Sequence, residues 1–300
     1  MTVRPTDYTS MASPAWCPGC GDFGILAALK KAMVGLDIEP YKVLFVSGIG
    51  QAGKLPHYTR GNVFNTLHGR TLPAATAAKL ANAELTVIAV GGDGDGYGEG
   101  GNHFLHALRR NCDITYLVHD NQVYALTKGQ ASPTSDAGYV SKTTPHGHWT
   151  ALNALPVAIA AGGTFVARSF AGDVEHLSEM IQQAVRFNGF ALVDILQPCV
   201  TFNHKNTYAW YRERVYKLDG IGYDPTDKAA ALDKAQEWGE RIPLGVIYRE
   251  ERPTFESFFP ALSKGPLVKQ PIEPQRVQPL MDEFLASHPS KVAVEESKGR

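Results

Sequence analysis

The chain has 300 residues, 44% hydrophobic and 20% charged, the balance of a globular protein long enough to bury a sound core. Its 29 Lys and Arg against 30 Asp and Glu leave a formal net charge of −1, which excludes a global electrostatic affinity for nucleic acid or an anionic membrane. The longest apolar stretch, 154–161, contains Pro156 and is far short of a bilayer span, and MTVRPTDYTS lacks a secretory apolar segment, so a cytoplasmic enzyme is expected.

In chain order, Cys17-Pro18-Gly19-Cys20 comes first. Its C-x-x-C spacing points to a redox dithiol, zinc or iron–sulfur before a structural bridge, because a large core in a reducing compartment needs no disulfide. A thioredoxin-like use is disfavoured, since that motif follows a strand and this one lies in a Pro/Gly-rich segment. Residues 24–33 read as a helix, with Ile25, Leu26, Leu29 and Met33 on one face and Lys30 and Lys31 opposite. The run 43–46 is a buried parallel strand stopped by Ser47-Gly48. An alanine-rich helix is expected at 71–80, then the clearest strand, LTVIAV at 85–90, running straight into glycines. A helix at 102–110, a strand at 114–118, a helix at 152–161, a strand at 165–167, a helix at 174–185 and a strand at 191–196 continue the alternation. That order predicts a doubly wound α/β fold with a mostly parallel sheet. The pattern degrades near 220, and six prolines from Pro253 to Pro279 suit an extended segment lying over a surface. Residues 1–220 therefore read as one domain and 221–300 as an irregular C-terminal extension, with a charged, frayed end at 295–300.

The glycines after LTVIAV are GGDGDGYGEGG, residues 91–101. Bare backbone N–H groups at the carboxyl edge of a sheet are where open α/β folds bind ligands, and glycine lets the chain approach a diphosphate. Three chemistries compete. Gly96 to Gly101 match G-x-G-x-x-G, but the acids just before are wrong for a pyrophosphate held by amides alone. An EF-hand beginning at Asp93 fails because Tyr97 takes its fifth position and Phe104 its twelfth. The third is Mg²⁺ held between a carboxylate and a diphosphate. Asn121 follows Asp93 by 28 residues, one helix and one strand, so both emerge at neighbouring carboxyl ends.

With these residues in place, the chain resembles the β subunit of the 2-oxoacid:ferredoxin oxidoreductases. The strings are WCPGCGDFGIL (16–26), SGIG with a following GK (47–54), TLHGR (66–70), GGDGD (91–95), DNQVYALTKGQASPT (120–134) and LQPC (196–199), in family order over about the first 200 residues. The resemblance implies thiamine diphosphate and Mg²⁺, with the metal on the side chains of Asp93 and Asn121 and the carbonyl of Val123. It implies cofactor contacts from Gly92, from the backbone of Gly94 and Asp95, from Thr127 and from His68. The reaction implied is reversible oxidative decarboxylation of a 2-oxoacid with coenzyme A, through a thiamine diphosphate enamine and on to ferredoxin; run in reverse it is carbon dioxide fixation. 2-Oxoglutarate is the expected substrate, a reaction of the tricarboxylic acid cycle, with pyruvate or a broad range as alternatives. Lys54 and His68 are the candidates for gripping substrate carboxylate and keto oxygen, with His57, Arg70 and Lys128 behind them. The pyrimidine-binding half implied for such an enzyme belongs to an α subunit, in an α₂β₂ assembly, and the extension is expected to pack on it. This chain alone is then inactive.

The resemblance also implies a 4Fe–4S cluster on Cys17, Cys20 and Cys199. The family's fourth cysteine falls where this chain has Gln51. Asp22, His57 or water could complete the cluster, a 3Fe–4S form could replace it, and zinc could occupy the same thiolates without carrying electrons. Cys112 reads mainly as a buried strand cysteine. A nonoxidative two-subunit thiamine diphosphate decarboxylase is the competing enzyme class. A nucleotide-binding or zinc-stabilised interaction module is the competing non-enzyme class.

Overall fold

The computed structural model describes residues 2–287. Ten strands form, β1 (Val43–Ser47), β2 (Asn62–Asn65), β3 (Thr86–Gly92), β4 (Ile114–Asp120), β5 (Val123–Tyr124), β6 (Gln130–Ala131), β7 (Phe165–Phe170), β8 (Phe190–Leu196), β9 (Val215–Lys217) and β10 (Ile242–Arg249). Eight of them make one sheet in the order β2-β1-β3-β4-β8-β7-β10-β9, and β5 and β6 make a separate hairpin. Every pairing in the large sheet is parallel except β10 with β7.

The helices are α1 (Asp22–Gly35), α2 (Thr71–Ala81), α3 (Gly101–Arg110), α4 (Ala154–Ala160), α5 (Val174–Arg186), α6 (Tyr208–Arg212), α7 (Lys228–Gln236) and α8 (Gln278–Ser287). Successive strand residues point to opposite faces. Phe45, Ile88, Leu117 and Val193 join α1 and α5 in one core, while Val46, Ala89, Tyr116 and Leu192 join α2, α3, α4 and α7 in the other. Helices on both faces explain why the strands read as unbroken apolar runs. The doubly wound, mostly parallel fold expected from the alternation is the one observed.

The expected boundary near 220 moves. Ile242–Arg249 lies in the sheet between β7 and β9, and α7 packs beside α4, so irregular structure begins at Glu250. Pro243 and Gly245 had hidden this strand. Pro243 pairs only on the β9 side, and Gly245, at φ +130°, opens the ladder to β7 in a conformation that disfavours side chains. From Glu250 on come short 3-10 turns and α8, with Phe258, Val268, Ile272 and Leu280 exposed. The frayed end expected at 295–300 lies outside the described residues. Among the described residues, no helix is long and apolar enough to cross a membrane.

Candidate functional site

Parallel pairing puts the carboxyl ends of β1, β3, β4 and β8 along one edge. The register sets Ser47 opposite Val90, Gly92 opposite His119, and Asp120 opposite Leu196. Four loops thus leave the sheet side by side, where open α/β sheets bind ligands. Between three of them lies a cavity of about 480 Å³, walled by residues 49–52, 92–95, 121 and 123–127, with His68 at its side. Gly92, Asp93, Gly94, Asp95, Asn121, Val123, Thr127 and His68 all line it, although they come from loops far apart along the chain.

Local geometry shapes each donor. The Asn121 side-chain oxygen accepts the Val123 N–H at 3.0 Å, an Asx turn that presents both residues to the same space. The Asp93 carboxyl is 1% exposed and accepts from the Thr134 hydroxyl at 2.6 Å. Burial pushes its pKa up to about 6, and the hydroxyls of Ser132 and Thr134 offset only part of that. A buried carboxylate without a counter-charge is the natural seat of a cation. Asp95 works differently. Its carboxyl accepts N–H groups from Ile49 at 3.1 Å and Gly69 at 2.8 Å, tying the loop after β1 to the start of α2. Burial raises its pKa, and those two amides pull it back.

Residues Gly94–Glu99 form a π-helical turn leading into α3, so Gly96–Gly101 is no dinucleotide loop. Close approach demands two of the glycines. A Cβ on Gly48 would meet an Asp95 oxygen at 1.9 Å, and one on Gly94 would meet the Tyr124 ring at 2.3 Å. Backbone amides, a buried carboxylate and an amide oxygen within one cavity are the donor set a metal-bridged diphosphate needs. Asp93, Asn121 and Val123 fit Mg²⁺, and the glycine backbone fits the diphosphate.

His68 is half-exposed, with Nδ1 at 3.1 Å from Glu99 Oε2 and 3.7 Å from Asp95 Oδ1. Lys54 is not in the cavity. It is half-buried in the 3-10 turn 52–58, and it makes no ion pair among the described residues. His57, Arg70 and Lys128 are exposed, and Arg70 pairs with His103.

A second cavity, of about 340 Å³, is lined by Cys17, Cys20 and Cys199. It shares Gln51, Asn121 and Ala125 with the first, so the two abut. Burial and the neighbouring Asp22 push the Cys20 thiol up, and burial raises Cys199. Amides of Phe202, Thr201 and Asn203 favour the Cys199 thiolate, as cluster sulfurs require. No three His, Cys, Asp or Glu side chains converge on one point among the described residues. Cys112 is elsewhere, with its Sγ donating to Glu256 at 3.0 Å in the second core, so it is no ligand.

The sequence reading missed the support behind the metal loop. Thr134 bridges Asp93 and Asp120, the latter at 2.8 Å. Burial, with Asp194 and Asp93 nearby, holds the Asp120 carboxyl well above the ordinary range. Behind it is a cavity of about 560 Å³, where Arg168 pairs with Asp194 at 3.3 Å. That cavity is larger but offers no glycine backbone, and the diphosphate chemistry belongs to the smaller one. Buried His119 donates its Nδ1–H to the Asp22 carboxylate at 2.6 Å, beside Cys20. The acid just before Asn121 and the hydroxyls at the end of the string 120–134 were the available signal.

Residues 48–195 match the family described as thiamine pyrophosphate enzyme, C-terminal TPP binding domain, and 199–264 match the C-terminal family of the pyruvate ferredoxin oxidoreductase beta subunit. A 2-oxoacid:ferredoxin oxidoreductase subunit beta from a Sulfolobus species is 48% identical over 80% of this chain and 84% of its own. The 2-oxoglutarate oxidoreductase subunit KorB of Mycobacterium tuberculosis is 43% identical over 66% of this chain and 53% of its own. Among solved structures, the 2-oxoglutarate:ferredoxin oxidoreductase from Magnetococcus marinus with 2-oxoglutarate, coenzyme A and succinyl-CoA bound matches at a TM-score of 0.84. It is 35% identical, covering 96% of this chain and 97% of that one.

Proposed function

This chain belongs to the family of 2-oxoacid:ferredoxin oxidoreductase beta subunits, a thiamine diphosphate enzyme, and from that premise we propose that it oxidises 2-oxoglutarate with coenzyme A in a cytoplasmic complex with an α subunit, reducing ferredoxin. The observation that carries the proposal is the abutment of the two cavities, one built for a metal-bridged diphosphate and one walled by three cysteines. Bound thiamine diphosphate supplies the electron sink for decarboxylation and an iron–sulfur cluster the one-electron acceptor.

The chain's own residues orient that chemistry. The carboxylate of Asp93, the amide oxygen of Asn121 and the carbonyl of Val123 hold Mg²⁺, and the amides of Gly94 and Asp95 receive the diphosphate. His68, on the cavity's open side, binds the substrate carboxylate. Cys17, Cys20 and Cys199, which line the adjoining cavity, would hold an iron–sulfur cluster, which would supply a one-electron acceptor. The exposed apolar residues after Glu250, Phe258 and Ile272 among them, pack on the α subunit in an α₂β₂ assembly.

Relatives named for 2-oxoglutarate support that substrate. Broad 2-oxoacid use is the second reading, favoured because relatives at 48–50% identity carry the general name. Ferredoxin reduction by the copurified complex, assayed with 2-oxoglutarate, pyruvate and 2-oxobutyrate, decides between them. A higher kcat/KM for 2-oxoglutarate is expected; equal values favour the broad reading, and activity in the isolated chain would overturn the need for a partner.

A further inference from the structure

Gln51 belongs to both cavities. It starts the 3-10 turn after β1, and its backbone carbonyl accepts the Trp16 indole N–H at 3.0 Å. Its side-chain oxygen is shut from solvent and has no hydrogen-bond partner among the described residues. Buried polar atoms are nearly always paired, so an orphan carbonyl oxygen on a residue that lines the cysteine cavity calls for a partner.

Three other candidates stand around the cysteine cavity. Asp22 is bonded to His119 at 2.6 Å, and His57 is exposed and does not line the space. Gln197 also has a buried side-chain oxygen without a partner among the described residues, but its amide nitrogen is turned onto Cys20 Sγ at 3.3 Å and it comes from the same loop as Cys199. Gln51 enters from a loop that contributes no cysteine. We propose that the side-chain oxygen of Gln51 ligates the fourth iron, giving the cluster three thiolates and one carboxamide; the assignment rests on the cluster reading above.

A neutral, hard oxygen holds iron less firmly than a thiolate, so this iron is the first to leave. It also makes the cluster unit one charge less negative than four thiolates would, which raises its reduction potential. Ferricyanide takes one electron from [4Fe–4S]²⁺ and becomes ferrocyanide. The [4Fe–4S]³⁺ product breaks its Fe–Oε1 bond and releases Fe²⁺, leaving [3Fe–4S]⁺.

The test uses the anaerobic complex with its α subunit, comparing wild type with Gln51→Cys. Wild type is expected to lose one iron in four on ferricyanide treatment and to develop the narrow paramagnetic signal of a three-iron cluster. Q51C should keep all four irons and show a lower potential. Should Q51C fail to assemble, wild type carrying ¹³C at the glutamine side-chain carbonyl decides alone, by a ¹³C coupling to the reduced cluster in pulsed spectroscopy. Equal iron retention in both proteins, a coupling from ¹⁷O-labelled water in place of ¹³C, or a ¹³C coupling abolished by Gln197→Leu would overturn the assignment. Absence of iron from every protein would instead overturn the cluster reading beneath it.

Discussion

Replacing Thr134 by valine tests the support of the metal loop, because valine keeps the shape and removes the hydroxyl. That hydroxyl lies 2.6 Å from Asp93 Oδ2 and 2.8 Å from Asp120 Oδ1, and it carries one proton for two carboxyls. Both carboxyls lie within reach of that hydroxyl, and burial with Asp194 and Asp93 nearby raises the Asp120 pKa. A hydrogen bond to a charged group contributes about 1.5–3 kcal/mol, and the Thr134 bond favours ionised Asp93. Only ionised Asp93 binds a cation, and losing that bond from a pKa of about 6 cuts the ionised fraction at pH 7, so T134V should weaken Mg²⁺-dependent thiamine diphosphate binding by roughly two- to fifteenfold. In wild type, protons compete as the pH falls through about 6. Losing a donor to the carboxylate raises the pKa, so the variant's midpoint must move to higher pH. Titration calorimetry of the complex at several pH values measures both quantities. Unchanged affinity at pH 7 with an unchanged midpoint would refute the reasoning.

Asp93→Asn should abolish Mg²⁺-dependent binding yet raise the melting temperature of the metal-free protein. Burial pushes the Asp93 pKa up to about 6, which costs on the order of 3 kcal/mol at pH 7 and is relieved as pH falls from about 6 toward the ordinary carboxyl range. Gly94→Ala drives a Cβ into the Tyr124 ring, which now sits within hydrogen-bond reach of Glu99; calorimetry should show about tenfold weaker cofactor binding. Arg168→Met strands Asp194 in the interior and should cost about 3–5 kcal/mol in denaturant unfolding, with part recovered in R168M/D194N. Lys54→Met should leave thiamine diphosphate affinity unchanged, since Lys54 lies outside the cavity; a large loss would restore its place in the site.

Much of this protein was legible along the chain. Unbroken apolar runs announced strands buried on both faces, as at 85–90, and the 28-residue interval from Asp93 to Asn121 announced two neighbouring strand ends. Glycines marked where the backbone must come close. These are local or periodic properties, and a sequence records them directly. β10 escaped because Pro243 and Gly245 break its pattern, and its pairing with β7 is decided by a partner far back along the chain.

The contents of the cavities depended on side-chain direction, which no spacing encodes. Lys54 looked like a site residue because it follows SGIG closely, yet the 3-10 turn carries it out of the cavity. Thr134 was only the last residue of the string 120–134, yet the β5–β6 hairpin folds it back onto Asp93. Sequence alone determined the parallel centre of the sheet, the acid and amide at its strand ends, and the C-x-x-C segment. Tertiary structure decided that the two cavities share Gln51, because only parallel strands in register bring the loops after β1, β4 and β8 to one edge.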